Sequence, residues 1–317
     1  MQSAPEVRIT GSGLVTCLGV SREATLTAVR AGSRAQGEPF PFLVGTPYGD
    51  YLAVQGQEPD LRGLIADRRM RKFMSRQAEL AAVAAREALE EADLSVRGIV
   101  PERIGLYAGV GLAAMDITAS ANLLHASLDE SGSFDLSRFS QDGLRTIHPL
   151  WSFHTLANMP ACIVSVLEGI KGDNGIYTPW EDQTAFALLE AAYALHEGAI
   201  DVAVVVASDT PSHPASMVEL ASSGFIAPGE AVAPGAACLV LERLDTPAPS
   251  RPFSRLSGLR LIASAQEDNA RPNDPLAPLV GRTLAAAPLL LVILAPLLGL
   301  PCRLHGCGGH SFSFEAA

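Results

Sequence analysis

Seven consecutive residues, Asp201–Ala207 (DVAVVVA), constrain the fold of this chain more than any others. A strand with one wet face alternates apolar and polar residues. An unbroken run of valines and alanines belongs to a strand covered on both faces, and such cover comes from helices. Helical patterns flank it. Arg76–Ala92 repeats Ala and Leu at helical spacing, with Glu and Arg on its other side, and Gln183–His196 reads as a helix closed by Gly198. Further strands are predicted at Glu6–Cys17, Ile104–Gly109, Ala237–Glu242 and Arg255–Ala265. Ser21 is placed to cap a helix that runs to Arg30, with Gly32 as its stop. Residues 34–66 read as irregular and residues 128–150 as an inserted polar loop. Pro275–Leu300 reads as helix kinked or split at its prolines, and Cys302–Phe314 as turn plus strand. Alternating strands and helices predict an α/β fold.

The chain carries 34 acidic and 23 basic residues, a net charge of −11. A phosphate-neutralising surface needs the opposite balance, so nucleic-acid binding is not expected. Leu284–Leu300 is free of charge but short for a bilayer and interrupted by Pro288 and Pro296. It is expected to be a buried core helix, with no membrane association. The N-terminus, MQSAPEVRIT, has neither basic flank nor apolar core, so no signal peptide and a cytoplasmic location are expected. The cysteines (Cys17, Cys162, Cys238, Cys302, Cys307) are odd in number and scattered, which is no disulfide framework.

Two motifs could hold a cofactor or metal, and neither has the right spacing. Gly109-Val110-Gly111 follows a strand, but Ala114 stands where a dinucleotide loop needs its third glycine. Cys302, His305, Cys307 and His310 are too compressed for the usual structural zinc sites. No cofactor and no metal are expected. The Pro-rich stretch DTPAPSRPFSR at 245–255 divides residues 1–245 from a shorter part, 246–317, which is expected to pack on it as one structural unit.

The order of several segments resembles the β-ketoacyl-ACP synthases. VRITGSGLVTCLG is similar to that family's first strand, RRMRKFMSRQAELAAVAAREALEEADL to its basic turn and following helix, and RIGLYAGVG to its strand ending in a G-x-G turn. SSGFIAPGEAVAPGAACLVLERL is similar to its GF…GEGA…LVLE segment, and LHGCGGHSFSFEA to its terminal G-F-G-G-x-N turn and strand. The resemblance implies a thiolase-like α/β fold, layered αβαβα, with an abridged C-terminal half. In NMPACIVSVLEGIKGDNGIYTPW the family's nucleophile segment is recognisable, but Thr178-Pro179-Trp180 stands where Thr-Ala-Cys is usual. An indole cannot be acylated. The family's H-G-T-G-T and K-x-x-x-G-H turns are also not found after Trp180, where the histidines are His196, His213, His305 and His310.

Within that family, members that lack the cysteine and partner an active ketosynthase are the chain-length factors, the β subunits of type II polyketide synthases; truncated ones are associated with highly reducing, polyene-forming systems. The resemblance therefore implies a pseudoenzyme that heterodimerises with a catalytic ketosynthase and shapes the acyl tunnel for chains borne on acyl carrier protein. It implies that Trp180 occludes the nucleophile pocket, and that Gly109, Gly111, Leu112 and Met115 approach the tunnel. Arg68, Arg69, Arg71 and Lys72, a basic run at an unfavourable helix start, would dock the acidic carrier protein. Gly175, Ile176, Tyr177 and Thr178 would form the subunit interface. Glu181 and Asp182 are expected to favour the N-terminus of the next helix electrostatically, and Gly306, Gly308 and Gly309 to take positive φ angles. Two alternatives stay open: a stand-alone acyltransferase using Cys162 or Cys307, and a scaffold that stabilises a ketosynthase without measuring length.

Overall fold

The computed structural model describes residues 4–65, 68–94, 97–112, 117–245, 255–263 and 272–316. Eight strands build one mixed sheet: β1 (Val7–Val15), β2 (Ile104–Val110), β3 (Asn174–Tyr177), β4 (Val202–Asp209), β5 (Gly235–Glu242), β6 (Arg255–Ala263), β7 (Arg303–His305) and β8 (His310–Ala316). Their order is β7-β8-β6-β1-β5-β4-β2-β3. β4, β2 and β3 are parallel, and β5 runs antiparallel to both β4 and β1. Helices α1 (Arg22–Arg30), α2 (Arg76–Ala92), α3 (Met159–Glu168), α4 (Glu181–His196) and α6 (Ala287–Leu298) pack on the sheet, while α5 (Pro214–Ser222) packs with Leu43, Ala53 and Val232.

The valine run is the centre of this arrangement. Every residue of β4 and β5 is buried. Val202, Val204 and Val206 face Leu80, Ala84 and Ala88 of α2 and Val164 of α3. Ala203, Val205 and Ala207 face the opposite way, into the core that holds α4 and α6. The alanine-rich face of α2 lets it lie close on β1. At Gly11 and Gly13 a Cβ would overlap the Ala88 and Ala84 carbonyl oxygens, so these positions are glycine for close approach. β6 pairs with β1 only at Val7 and Arg8. Farther along, the amides of Ser12 and Leu14 donate to Glu91 (2.8 Å) and Glu87 (2.9 Å) of α2, which keeps them satisfied.

Residues 255–316 do not build a sheet of their own. Their strands extend the first one, and α4 and α6 lie between the two parts. α4 touches β2, β3 and β4 as well as β6 and β8. Leu256, Leu259, Leu261, Phe312 and Phe314 join the same core as Leu239 and Leu241. This double cover explains α6, in which Ala287 through Ala295 are buried on every side. Pro288 sits in its first turn, where no amide donor is needed, and Pro296 near its end. No helix among the described residues is long and apolar enough to cross a membrane. The described layers are thus α2/α3, strands, α4/α6 and strands. Arg255, Arg260, Ile262 and Glu315 on the outer side of the last layer are exposed.

Several boundaries differ from the sequence reading. Ser21 caps α1, accepting the Ala24 amide at 3.1 Å, and α2 has the bounds expected of it. The helix expected from Gln183 begins two residues earlier, at Glu181. The expected 128–150 loop contains a short helix, Leu136–Gln141, capped by Asp135, and a 3-10 turn at Gly143–Thr146. The 34–66 stretch supplies two short strands, Glu38–Pro39 and Leu52–Ala53, to a small sheet completed by Ala231–Val232. The Pro-rich joint lies mostly outside the described residues, as does Met115.

Candidate functional site

Trp180 is the residue before the first turn of α4, directly after the edge strand β3. Its indole is half-buried in a cluster with Met217 and Leu220 of α5, Leu284 and Cys307. Phe225 meets it edge-on with ring centroids 5.5 Å apart. Behind it the helix start is charged and buried. Glu181 and Asp182 are each 1% exposed. Their positions in the first turn suit the helix dipole, but their side chains turn inward to the C-terminal segment. Glu181 pairs with Arg282 at 2.9 Å and accepts the Cys307 amide at 3.1 Å. Asp182 meets His310 Nδ1 at 2.9 Å.

Arg282 is the site residue that sequence reasoning missed. It is 1% exposed, donates to the Phe225 carbonyl at 2.6 Å, and reaches Glu230 at 3.5 Å. A legible signal existed: Ala277-Pro278-Leu279-Val280-Gly281-Arg282 keeps the spacing of K-x-x-x-G-H, with alanine for lysine and arginine for histidine. Gly281 takes a positive φ of 76° and packs against Ala233. Cys307 lies 3.6 Å from Arg282 and 3.7 Å from Glu181. Burial, reinforced by the Glu181 charge, pushes its thiol far above the ordinary range, so it is no thiolate.

The terminal turn departs from expectation. Only Gly309 has positive φ. Gly306 and Gly308 are glycine because a Cβ there would press on Glu181 and Asp182. The residues of the compressed Cys/His motif go to separate partners: His305 to Ser311 at 3.1 Å, His310 to Asp182, Cys307 to Glu181.

The G-x-G turn serves close approach too. A Cβ at Gly109 would overlap the Thr184 side chain of α4, and one at Gly111 the Asp209 carboxylate. Asp209 is buried and accepts the Ala285 amide at 3.2 Å. Burial pushes it up to about 8, helped by Glu181, so it is largely neutral at neutral pH. Burial likewise raises Asp274 to about 6. Among the described residues, the buried side-chain polar atoms without a partner gather around this region: Asp182 Oδ1, Ser208 Oγ, Thr210 Oγ1, Asp274 Oδ2, Arg282 Nε and Thr283 Oγ1, with Trp151 Nε1 beyond. Such groups are uncommon in folded proteins.

A cleft of about 560 Å³ opens beside this region, with Phe40, Phe42, Met74 and Ile117 as apolar walls. Phe40 also belongs to the Trp180 cluster. Leu112 does not line the cleft, but Gln77, which does, donates to the Leu112 carbonyl at 2.8 Å. Ile117–Ala119, just after the G-x-G segment, line it directly. Arg68–Arg71 form a one-turn helix ahead of α2, with Arg68, Arg69 and Lys72 exposed. The Lys72 carbonyl accepts from His154, a cleft residue, at 3.1 Å. β3, holding Gly175, Ile176 and Tyr177, is the sheet's edge; Ile176 is 39% exposed and Thr178 follows the strand.

Residues 4–246 match the model of the β-ketoacyl synthase N-terminal domain, and the chain belongs to this family. It is 24% identical over 227 residues to 3-oxoacyl-[acyl-carrier-protein] synthase 2 of Staphylococcus aureus strain N315, covering 72% of this chain and 50% of that protein. The chain thus spans about half the length of the curated relatives it matches. Solved structures share the thiolase-like fold. A type II PKS acyl-carrier protein in complex with its ketosynthase bound to the hexaketide, AntDE:AntF, gives a TM-score of 0.73 at 17% identity, covering 99% of this chain and 100% of that one. The ishigamide ketosynthase/chain length factor gives 0.61 at 18% identity, covering 94% and 74%. The ketosynthase ApeO in complex with its chain length factor ApeC from Xenorhabdus doucetiae gives 0.57 at 14% identity, covering 94% and 69%.

Proposed function

We propose that this protein is a non-catalytic chain-length factor, paired with an active ketosynthase and shaping the tunnel for a polyketide chain on its carrier protein. The observation that carries this reading is the occupant of the family's nucleophile position: Trp180, packed on Phe225, with the buried Glu181–Arg282 pair behind it. Nothing at that position can form a thioester. Arg282, where the histidine of K-x-x-x-G-H would stand, is held by a carboxylate and a carbonyl and has no lone pair to accept a proton. The likeness to structures described as ketosynthase–chain length factor complexes agrees with this role. β3 supports a partner interface: a sheet edge with unpaired backbone groups, beside the half-exposed Ile176. The elevated thiol of Cys307 speaks against an acyltransferase built on that residue.

Co-expression with a ketosynthase subunit and carrier protein tests the proposal. The expected result is a stable 1:1 complex whose product lengths shift when cleft residues such as Ile117 are enlarged. Assembly without any length shift would reduce the role to a scaffold. The isolated chain, and its Trp180→Cys variant, should show no malonyl-dependent condensation; turnover by either would overturn the reading.

A further inference from the structure

Two rings meet at Trp180, and one guanidinium holds both of the segments that carry them. Trp180 precedes the first turn of α4, and Phe225 lies just past the end of α5. The rings stand edge-on, 75° apart in plane, with centroids 5.5 Å apart. Arg282 reaches the two segments at once. Its Nη2 donates to Glu181 Oε1 at 2.9 Å, one residue from Trp180. Its Nη1 donates to the Phe225 carbonyl at 2.6 Å and lies 3.5 Å from Glu230 Oε1. Glu230 in turn accepts the Ala227 amide at 3.0 Å, so both ends of the turn from Phe225 to Glu230 answer to the same side chain. The anchor is itself fixed: the Arg282 amide donates to the Ala231 carbonyl and its carbonyl accepts the Ala233 amide, both at 2.9 Å.

Charge balance alone does not ask for this arrangement. Any cation beside Glu181 would neutralise it. The Phe225 carbonyl is a neutral acceptor, so a short bond to it serves geometry rather than charge. A guanidinium supplies that geometry, because it is a planar fork whose donors point in fixed directions, whereas an ammonium is a point charge on a flexible stem. We propose that Arg282 is a positioning residue whose fork spans Glu181 and the Phe225 carbonyl and so locks Trp180 against Phe225 as a fixed plug. The indole cannot swing away while the segment before α4 and the turn after α5 are tied to one rigid group. The position is then closed by geometry as well as by the absence of a thiol. This inference rests on the proposed function, in which Trp180 fills the family's nucleophile position, and adds what holds that occupant in place.

The test uses the full chain. It has two tryptophans, so a Trp151→Phe parent leaves Trp180 as the sole indole. Access to that indole is read by acrylamide quenching of its fluorescence, with circular dichroism as the check on folding. Arg282→Met/Glu181→Gln removes the fork without stranding a charge and should raise the quenching constant about threefold, because the freed turn lets the indole reach water. Glu181→Gln alone removes the ion pair but keeps an acceptor for the fork, and should stay within about 1.5-fold of the parent. An ion pair that serves stability alone gives the reverse order, since the single variant strands a charge and the double variant does not. Where the double variant does not fold, Arg282→Lys keeps the charge but not the fork and should raise quenching about twofold. Equal quenching across the variants, the reverse order, or parent-like quenching in Arg282→Lys would overturn the inference. None of these outcomes touches the chain-length reading, which the product lengths of the assembled complex decide by themselves.

Discussion

At the scale of single residues, the helix start behind Trp180 is held by a buried ion pair. Glu181 and Arg282 are 1% exposed each and hold one another across 101 residues of sequence. Removing one partner of a buried pair strands the other charge. Arg282→Met should therefore destabilise the fold by about 3–5 kcal/mol in urea denaturation. The double variant Arg282→Met/Glu181→Gln should recover a large part of that loss, and a strictly additive cycle would show that the pair is not coupled. Asp209 gives a pH signature. Its folded value of about 8 lies above its unfolded value, so between the two the folded state holds a proton that the unfolded state has lost. Stability should fall as pH rises from about 4 to 8, by at most about 1.4 kcal/mol per pH unit from this group, and level off above. Asp274, raised to about 6, acts in the same direction over the lower part of that window. Asp209→Asn should flatten the dependence in thermal melts at pH 5 and pH 8; an unchanged slope would assign it to other groups.

At the scale of elements, β3 is one of the two edge strands of the eight-stranded sheet among the described residues. It pairs only with β2, and Ile176, opposite Ala108 in register, is half-exposed on it. Val166 of α3 and Phe186 and Tyr193 of α4 add further exposed apolar side chains. Such an edge invites strand addition or a partner surface. Ile176→Lys should leave the monomer's melting temperature within about 2 °C, because surface changes are small in energy. It should abolish the complex with a ketosynthase in size-exclusion chromatography. An intact complex would place the interface elsewhere.

At the scale of the whole molecule, charge is segregated. A chain of net charge −11 concentrates Arg68, Arg69, Arg71 and Lys72 ahead of α2, next to the cleft. A basic patch on an acidic protein steers an acidic partner, chiefly through the association rate. Reversing all four charges should lower carrier-dependent turnover of the assembled complex and its salt sensitivity, with assembly unchanged. Turnover indifferent to the reversal would make the run a solvated helix start.

What the sequence determined by itself is local and periodic. The unalternating Asp201–Ala207 run required two-sided cover, and β4 has it. The spacing of Ala and Leu set α2 at Arg76–Ala92, and Trp180 was legible as a non-nucleophile. These features survive because side-chain periodicity and covalent chemistry do not depend on distant contacts. Tertiary structure alone decided that the last strands extend the first sheet, that Glu181 finds Arg282 and Asp182 finds His310, and that the cleft draws its walls from several separate segments. Gly306 and Gly308 illustrate the difference. They looked like turn glycines by their run, yet it is the buried Asp182 that forbids a side chain at Gly308, while Glu181 and Asp182 only crowd Gly306, a demand set by packing across more than a hundred residues and carried by no local pattern.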